Sequence, residues 1–148
     1  TPNEVTFNAI IESAPNYLIA NKYFRQMARQ KIAPNKYVVT TLMKQSPGFI
    51  EAGRLAQEYR KAGGKMDVQM YGMLIGRSRD FEQISYVRQM MDLQDIKPDR
   101  WIYCYLISFA PTVGKKRQLV SEMRMRGIDP DSKTWSHLAK HGIYYDDF

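Results

Sequence analysis

Cysteine occurs once in the 148 residues and histidine only twice. The lone Cys104 excludes an internal disulfide framework and any multi-cysteine zinc site. No apolar run approaches the roughly 18 residues that a membrane-spanning helix needs. The His-x-Glu and Cys-x-x-Cys signature of zinc deaminases is absent, as is any clustered acidic or Ser/His arrangement suited to hydrolysis. No catalytic residue, metal ligand or cofactor is therefore nominated, and the chain is expected not to be an enzyme. Cys104 reads as a small groove or core residue rather than a nucleophile, because His137 and His141 lie far from it in sequence. Acidic residues are also outnumbered, with 15 Asp and Glu against 22 Lys and Arg, a net charge of +7 that suits a polyanionic partner. The 44% of hydrophobic residues is enough for the continuous core of one domain.

Seven prolines are present, and they are not scattered. Pro2, Pro34, Pro98 and Pro130 fall in one column of a 32-residue register, and Pro15, Pro47 and Pro111 in another. The stretch DIKPDRWIY at 95–103 is written again as GIDPDSKTW at 127–135. Asn3, Asn35, Asp67, Asp99 and Asp131 keep the same period, with Met66 replacing the proline. A fixed period of this size is the signature of a repeat architecture.

Each period reads as two helices. First helices are expected over 4–14, 36–46, 68–78, 100–110 and 132–141. Their apolar columns are Phe7, Val39, Tyr71, Tyr103, Trp135 and, three residues on, Ile10, Leu42, Leu74, Leu106, Leu138. A step of three keeps both columns on one face, so the aromatics are expected in the core. Proline at 15, 47 and 111 stops the helix. Arg79 breaks that column, so the third first helix is expected to run on by a turn. Asn16, Gly48, Asp80 and Thr112 then cap second helices. Those helices carry the columns Tyr17, Phe49, Phe81, Val113; Tyr23, Leu55, Val87, Leu119; and Met27, Tyr59, Met91, Met123. One hairpin cannot bury both its stripes, whereas stacked copies can, giving an all-α solenoid. A strand anywhere in 4–140 would contradict this register. The expected organisation is a single domain over 1–148, with repeats 4–35, 36–67, 68–99 and 100–131 and a half repeat with tail at 132–148. Starting at Thr1 on the end of a repeat, the chain reads as a fragment of a longer one.

The opening Val5-Thr6-Phe7-Asn8, the second-helix methionines and the closing IAPN, IKPD and IDPD resemble pentatricopeptide repeat (PPR) proteins. The resemblance covers nearly the whole chain, with repeats shorter than the family's commonest length of about 35 residues. It implies a right-handed α-solenoid of about four and a half repeats, and modular recognition of single-stranded RNA in a mitochondrion or chloroplast. It also implies base reading by the fifth and last residues of each repeat: Asn8 with Asn35, Thr40 with Asp67, Gly72 with Asp99, and Cys104 with Asp131. The first pair resembles a pyrimidine reader and the second a guanine reader. Gly72 has no side chain to read with, and Cys104 is a poor hydrogen-bonding group. The base-flanking residues implied are Val5, Tyr37, Gln69 and Trp101, where aromatic rings can stack on bases.

The last-position Asn and Asp residues are equally well placed to cap first helices, and capping is compatible with reading. For Asn8 and Thr40 the alternative is a polar residue on a solvated groove. On the first helices Lys36, Lys44, Arg77, Arg100, Lys133 and Lys140 face only Glu4 and Glu12. Lys36, Lys44, Arg77 and Arg100 are the candidate phosphate contacts. The clusters KKR at 115–117 and RMR at 124–126 read as a solvated outer face or, alternatively, as a second nucleic-acid contact on the convex side. An array with two weak readers specifies little sequence, so a structural subunit of a large RNA–protein or multi-protein assembly is the alternative function. The tail GIYYDDF, aromatic and acidic, reads first as an end cap, with packing on a partner as the alternative.

Overall fold

The computed structural model describes residues 3–148, so Pro2 of the first repeat column lies outside the described residues. Nine α-helices and one short 3₁₀ turn account for the regular structure there, with no strand among the described residues. The chain divides into two compact units, Thr1–Arg77 and Ser78–Phe148.

The first unit contains α1 (Glu4–Ser13), α2 (Tyr17–Arg29), α3 (Lys36–Gln45), α4 (Phe49–Lys61) and α5 (Val68–Gly76). Helix α1 packs on α2 and α3, and α3 packs on α4 and α5, so the first helices α1, α3 and α5 lie side by side. The second unit contains α6 (Phe81–Leu93), α7 (Arg100–Phe109), α8 (Val113–Met125), α9 (Ser132–Ala139) and the 3₁₀ turn Tyr145–Asp147. Here α7 packs on α6, α8 and α9.

Local chemistry sets these boundaries. Every last-position residue caps the following first helix: the side chains of Asn3, Asn35, Asp67, Asp99 and Asp131 each accept the amide N–H three residues on. Such a cap is worth about 1 kcal/mol. Asn16, Asp80 and Thr112 cap second helices in the same way, while Gly48 does so without a side-chain bond. The residues before the three prolines, Ala14, Ser46 and Ala110, turn to extended ψ values of 136°, 146° and 132°, as steric conflict with the proline ring requires.

Helix α5 does not run on past the missing proline. It ends at Gly76, one register position earlier than α1, α3 and α7. Gly76 is a weak helix former, and the Arg77 guanidinium is drawn onto the end of α3, donating to the carbonyls of Ser46 (2.6 Å) and Lys44. In the second unit Asp80 Oδ1 accepts the Gln83 amide while Gln83 Oε1 accepts the Arg79 amide, a reciprocal cap that starts α6 without a proline.

Most columns expected from the register form the core, but the second-helix column Tyr17, Phe49, Phe81 and Val113 does not. Its first three members are half-buried, as is Tyr23, and Val113 is exposed. Phe7, Leu42, Leu55, Tyr71, Leu74, Val87, Tyr103, Leu106, Leu119 and Leu138 are buried, as are Met27, Met91 and Met123. Trp135 departs from the aromatic column, being half-exposed. The ring packs on the tail, 5.6 Å from Tyr145 and 6.4 Å from Phe148. Ile10 is likewise only half-buried. The second helices end in a recurring turn in which the N–H of Ile32, Gly64, Ile96 and Ile128 bonds back to the carbonyl of Met27, Tyr59, Met91 and Met123. The preceding residue takes positive φ each time: Lys31 57°, Gly63 92°, Asp95 54° and Gly127 75°.

Candidate nucleic-acid interface

In the first unit, the row α3–α5 forms a cleft of about 240 Å³ lined by Lys36, Tyr37, Thr40, Lys44, Gln69 and Met73. Tyr37 stands in the second position of α3 with its ring 74% exposed. Thr40 lies one turn later, half-buried, with Oγ1 donating to the Tyr37 carbonyl at 3.0 Å. Lys44 follows after one more turn and is exposed. Across the cleft Asp67 caps α5, Oδ1 accepting the Met70 N–H at 2.9 Å, while Oδ2 pairs with the Lys36 ammonium. Partial burial pushes the Asp67 carboxyl up, but the Lys36 hydrogen bond and the Met70 N–H together hold it below the usual carboxylate range. Lys36 is raised in turn by the Asp67 bond and charge.

The second unit repeats this construction between α7 and α9. A cleft of about 230 Å³ is lined by Trp101, Cys104, Tyr105, Ser108, Asp131, Lys133, Thr134 and His137. Trp101 is 50% exposed and Cys104 buried. Asp131 caps α9 through the Thr134 N–H at 2.7 Å, and the Thr134 bonds, then Arg100 and Lys133, keep its carboxyl low. Two lining residues escape sequence reasoning. Tyr105 continues an aromatic ladder along α7, with ring centroids 5.1 Å from Trp101 and 4.9 Å from Phe109. The i, i+4, i+8 spacing of 101, 105 and 109 was the available signal. His137 enters the cleft that Cys104 lines, which no sequence distance could reveal.

The other two nominated pairs are arranged differently. Asn35 caps α3, and Asn8 sits half-buried on α1 with Oδ1 buried and without a hydrogen-bond partner. Val5 is exposed. Gly72 and Gln69 lie on α5 in the first unit, and Asp99 caps α7 in the second. Of the nominated phosphate contacts, Lys44 lines the cleft, Lys36 is paired with Asp67, Arg77 is spent on the α3 carbonyls, and Arg100 Nε donates to the Asp129 carbonyl at 2.9 Å.

The basic clusters of α8 are only partly solvated: Met125 and Arg126 are exposed, Lys115, Arg117 and Arg124 are half-buried, and Lys116 is buried. Lys116 is only 4% exposed, its ammonium donating to the carbonyl of Ile107 at 2.7 Å and lying 3.0 Å from His137 Nε2. Arg117 reaches Asp147, and Arg124 reaches Asp129 while its guanidinium lies 4.4 Å over the Tyr145 ring. Arg126 donates to the Pro98 carbonyl at 2.7 Å. With Ile143 buried, these contacts hold the tail against α8 and α9. Among the described residues there is no group of three potential metal ligands and no helix long and apolar enough to cross a membrane.

No family model matches the sequence, and no curated protein sequence matches it significantly. Solved structures do. The pentatricopeptide repeat protein PPR10 in complex with an 18-nt psaJ RNA element is similar over 93% of this chain, with a TM-score of 0.72 and 21% identity. A structure of the pentatricopeptide repeat protein PPR10 from maize is similar over the same share, with a TM-score of 0.63 and 18% identity. The chain spans 22% and 21% of the length of the chains in those two structures. The fold is thus pentatricopeptide-repeat-like, an all-α helical-repeat solenoid.

Proposed function

We propose that this is a single-stranded RNA-binding helical-repeat protein, its repeats acting as successive modules of one domain. The observation that carries the reading is the recurrence of one cleft design. At α3–α5 and at α7–α9, an exposed aromatic, a fifth-position side chain and at least one lysine line the same kind of groove. The last-position acid Asp131 lines the second, and Asp67 is paired with Lys36 of the first. Aromatic faces accept any base by stacking, and lysines attract phosphates without reading sequence. The likeness to a repeat protein solved with RNA supports the same use. Base reading falls to Asn8 with Asn35, Thr40 with Asp67 and Cys104 with Asp131. Residues Val5, Tyr37, Gln69 and Trp101 flank the bases. Lys44 and Lys133 are the lysines best placed for phosphate. The family resemblance supports a role in organellar RNA metabolism, in a mitochondrion or chloroplast.

The test is fluorescence anisotropy with short labelled RNAs over a salt series. Single strands bind, duplexes bind less, and affinity falls with salt as counterions are released. Tyr37→Ala and Trp101→Ala each weaken binding by about 1–3 kcal/mol, and Lys44→Glu weakens every sequence and flattens the salt dependence. A wild-type chain that ignores RNA but purifies in a defined large complex supports the second reading, a structural subunit. That reading draws on Leu18 and Ile50, exposed in the same column of α2 and α4.

A further inference from the structure

Lys36 was nominated for phosphate, yet its ammonium is committed to Asp67. Asp67 is the acid of the only nominated pair that combines a hydroxyl with a carboxylate. A free carboxylate offers two oxygens side by side, which match guanine's adjacent N1–H and N2–H donors, an edge that the other three bases lack. Asp67 pairs with Lys36, which lines this cleft, and each of its oxygens already accepts one donor. Oδ1 holds the Met70 amide as the α5 cap, and Oδ2 holds Lys36. The cap amide leaves Oδ1 a second lone pair, whereas the ammonium sets a positive charge and its N–H donors against Oδ2. The remaining donors of the ammonium face the same space as Tyr37 and Thr40, all three lining one cleft. A base entering it meets an acceptor next to a donor rather than two acceptors.

We infer that Lys36 is a specificity-determining residue: by occupying Asp67 Oδ2 it removes the two-acceptor edge and relaxes the guanine preference of the Thr40–Asp67 module. The register makes the device local. Glu4, Val68 and Ser132 fill the Lys36 column elsewhere, and the remaining cation, Arg100, gives its Nε proton to the Asp129 carbonyl. Asp67 keeps its charge throughout the neutral range, since its carboxyl is held low, so the lysine and not protonation governs how many acceptors it presents.

The inference rests on the RNA-binding reading, and the experiment separates the two. Wild type, Lys36→Met and Lys36→Arg are each used to select from a pool of short randomised RNAs, with affinities of the enriched sequences measured afterwards. Lys36 is exposed, and an exposed ion pair contributes little to stability, so all three fold alike in thermal melts. Lys36→Met raises guanine enrichment at one position by about fivefold or more, the scale of one base contact. Lys36→Arg, which keeps the pair with Asp67, retains the wild-type profile. If Lys36→Met weakens all sequences equally and leaves the profile unchanged, Lys36 is a phosphate contact and the inference is overturned while the RNA-binding reading stands. If Lys36→Arg shifts the profile as Lys36→Met does, the pair with Asp67 is not the cause, and the inference falls again. A wild type that retains no RNA overturns both.

Discussion

Tyr59 stands where the other repeats place methionine, and Gly64, five residues later, stands where they place isoleucine. The two exceptions belong together. A Cβ built on Gly64 would lie 2.3 Å from the Tyr59 ring, so the ring occupies the space that Ile32, Ile96 and Ile128 fill elsewhere. Gly64→Ile therefore destabilises the protein by about 1–3 kcal/mol, the usual cost of overpacking. In a Tyr59→Met background the same change is neutral or stabilising. Urea midpoints of the four variants in that cycle measure the coupling, and additive effects would show that the ring does not fill the isoleucine space. A second residue-scale outcome concerns the positive-φ column. Lys31 adopts φ 57° where Gly127 adopts 75°, and a side chain in this region costs about 1–2 kcal/mol. Lys31→Gly recovers part of that strain, less the glycine's extra entropy when unfolded, so its thermal midpoint is unchanged or higher, whereas the same exchange at nearby Arg29, inside α2, lowers it.

Helices and their caps were almost fully legible in the sequence, because the cues are local. Proline columns, cap residues and three- or four-residue apolar steps all act within one turn. What escaped reading depends on side chains that meet across helices. Arg77 ended α5 by reaching back 31 residues to Ser46, Lys116 left the surface for the end of α7, and His137 joined it from α9. The α7–α8–α9 junction has a pH consequence. Burial first, then the Lys116 charge, and more weakly His141 and Lys140, depress the pKa of His137 below its ordinary 6.5. The folded state thus binds that proton less readily than the unfolded chain. Stability is fully present above pH 6.5 and is lost as pH falls from there towards the depressed folded value. Thermal midpoints across that window decline, and Lys116→Met reduces the decline while moving the His137 titration upward in an NMR series. An unchanged titration in Lys116→Met would remove the ammonium from the explanation.

At the scale of the molecule, the tail is part of the second unit's structure. Ile143 is buried, Trp135 leans on Tyr145 and Phe148, and Arg117 and Arg124 hold the last turn. Removing residues 143–148 uncovers Leu138 and frees those arginines, so amide protection in α8 and α9 drops in hydrogen exchange. Retained protection there would make the tail an appendage. The column of helix caps carries a different consequence. Asn3, Asn35, Asp67, Asp99 and Asp131 hold their helices by the same bond, and asparagine and aspartate are nearly equal in that role. They are unequal towards anything outside, since one offers an amide and the other a charge. Substitution between them is therefore almost silent to folding and audible to a ligand. Descendants of such a chain can drift at these five positions one mutation at a time, changing what the groove prefers without passing through an unstable intermediate.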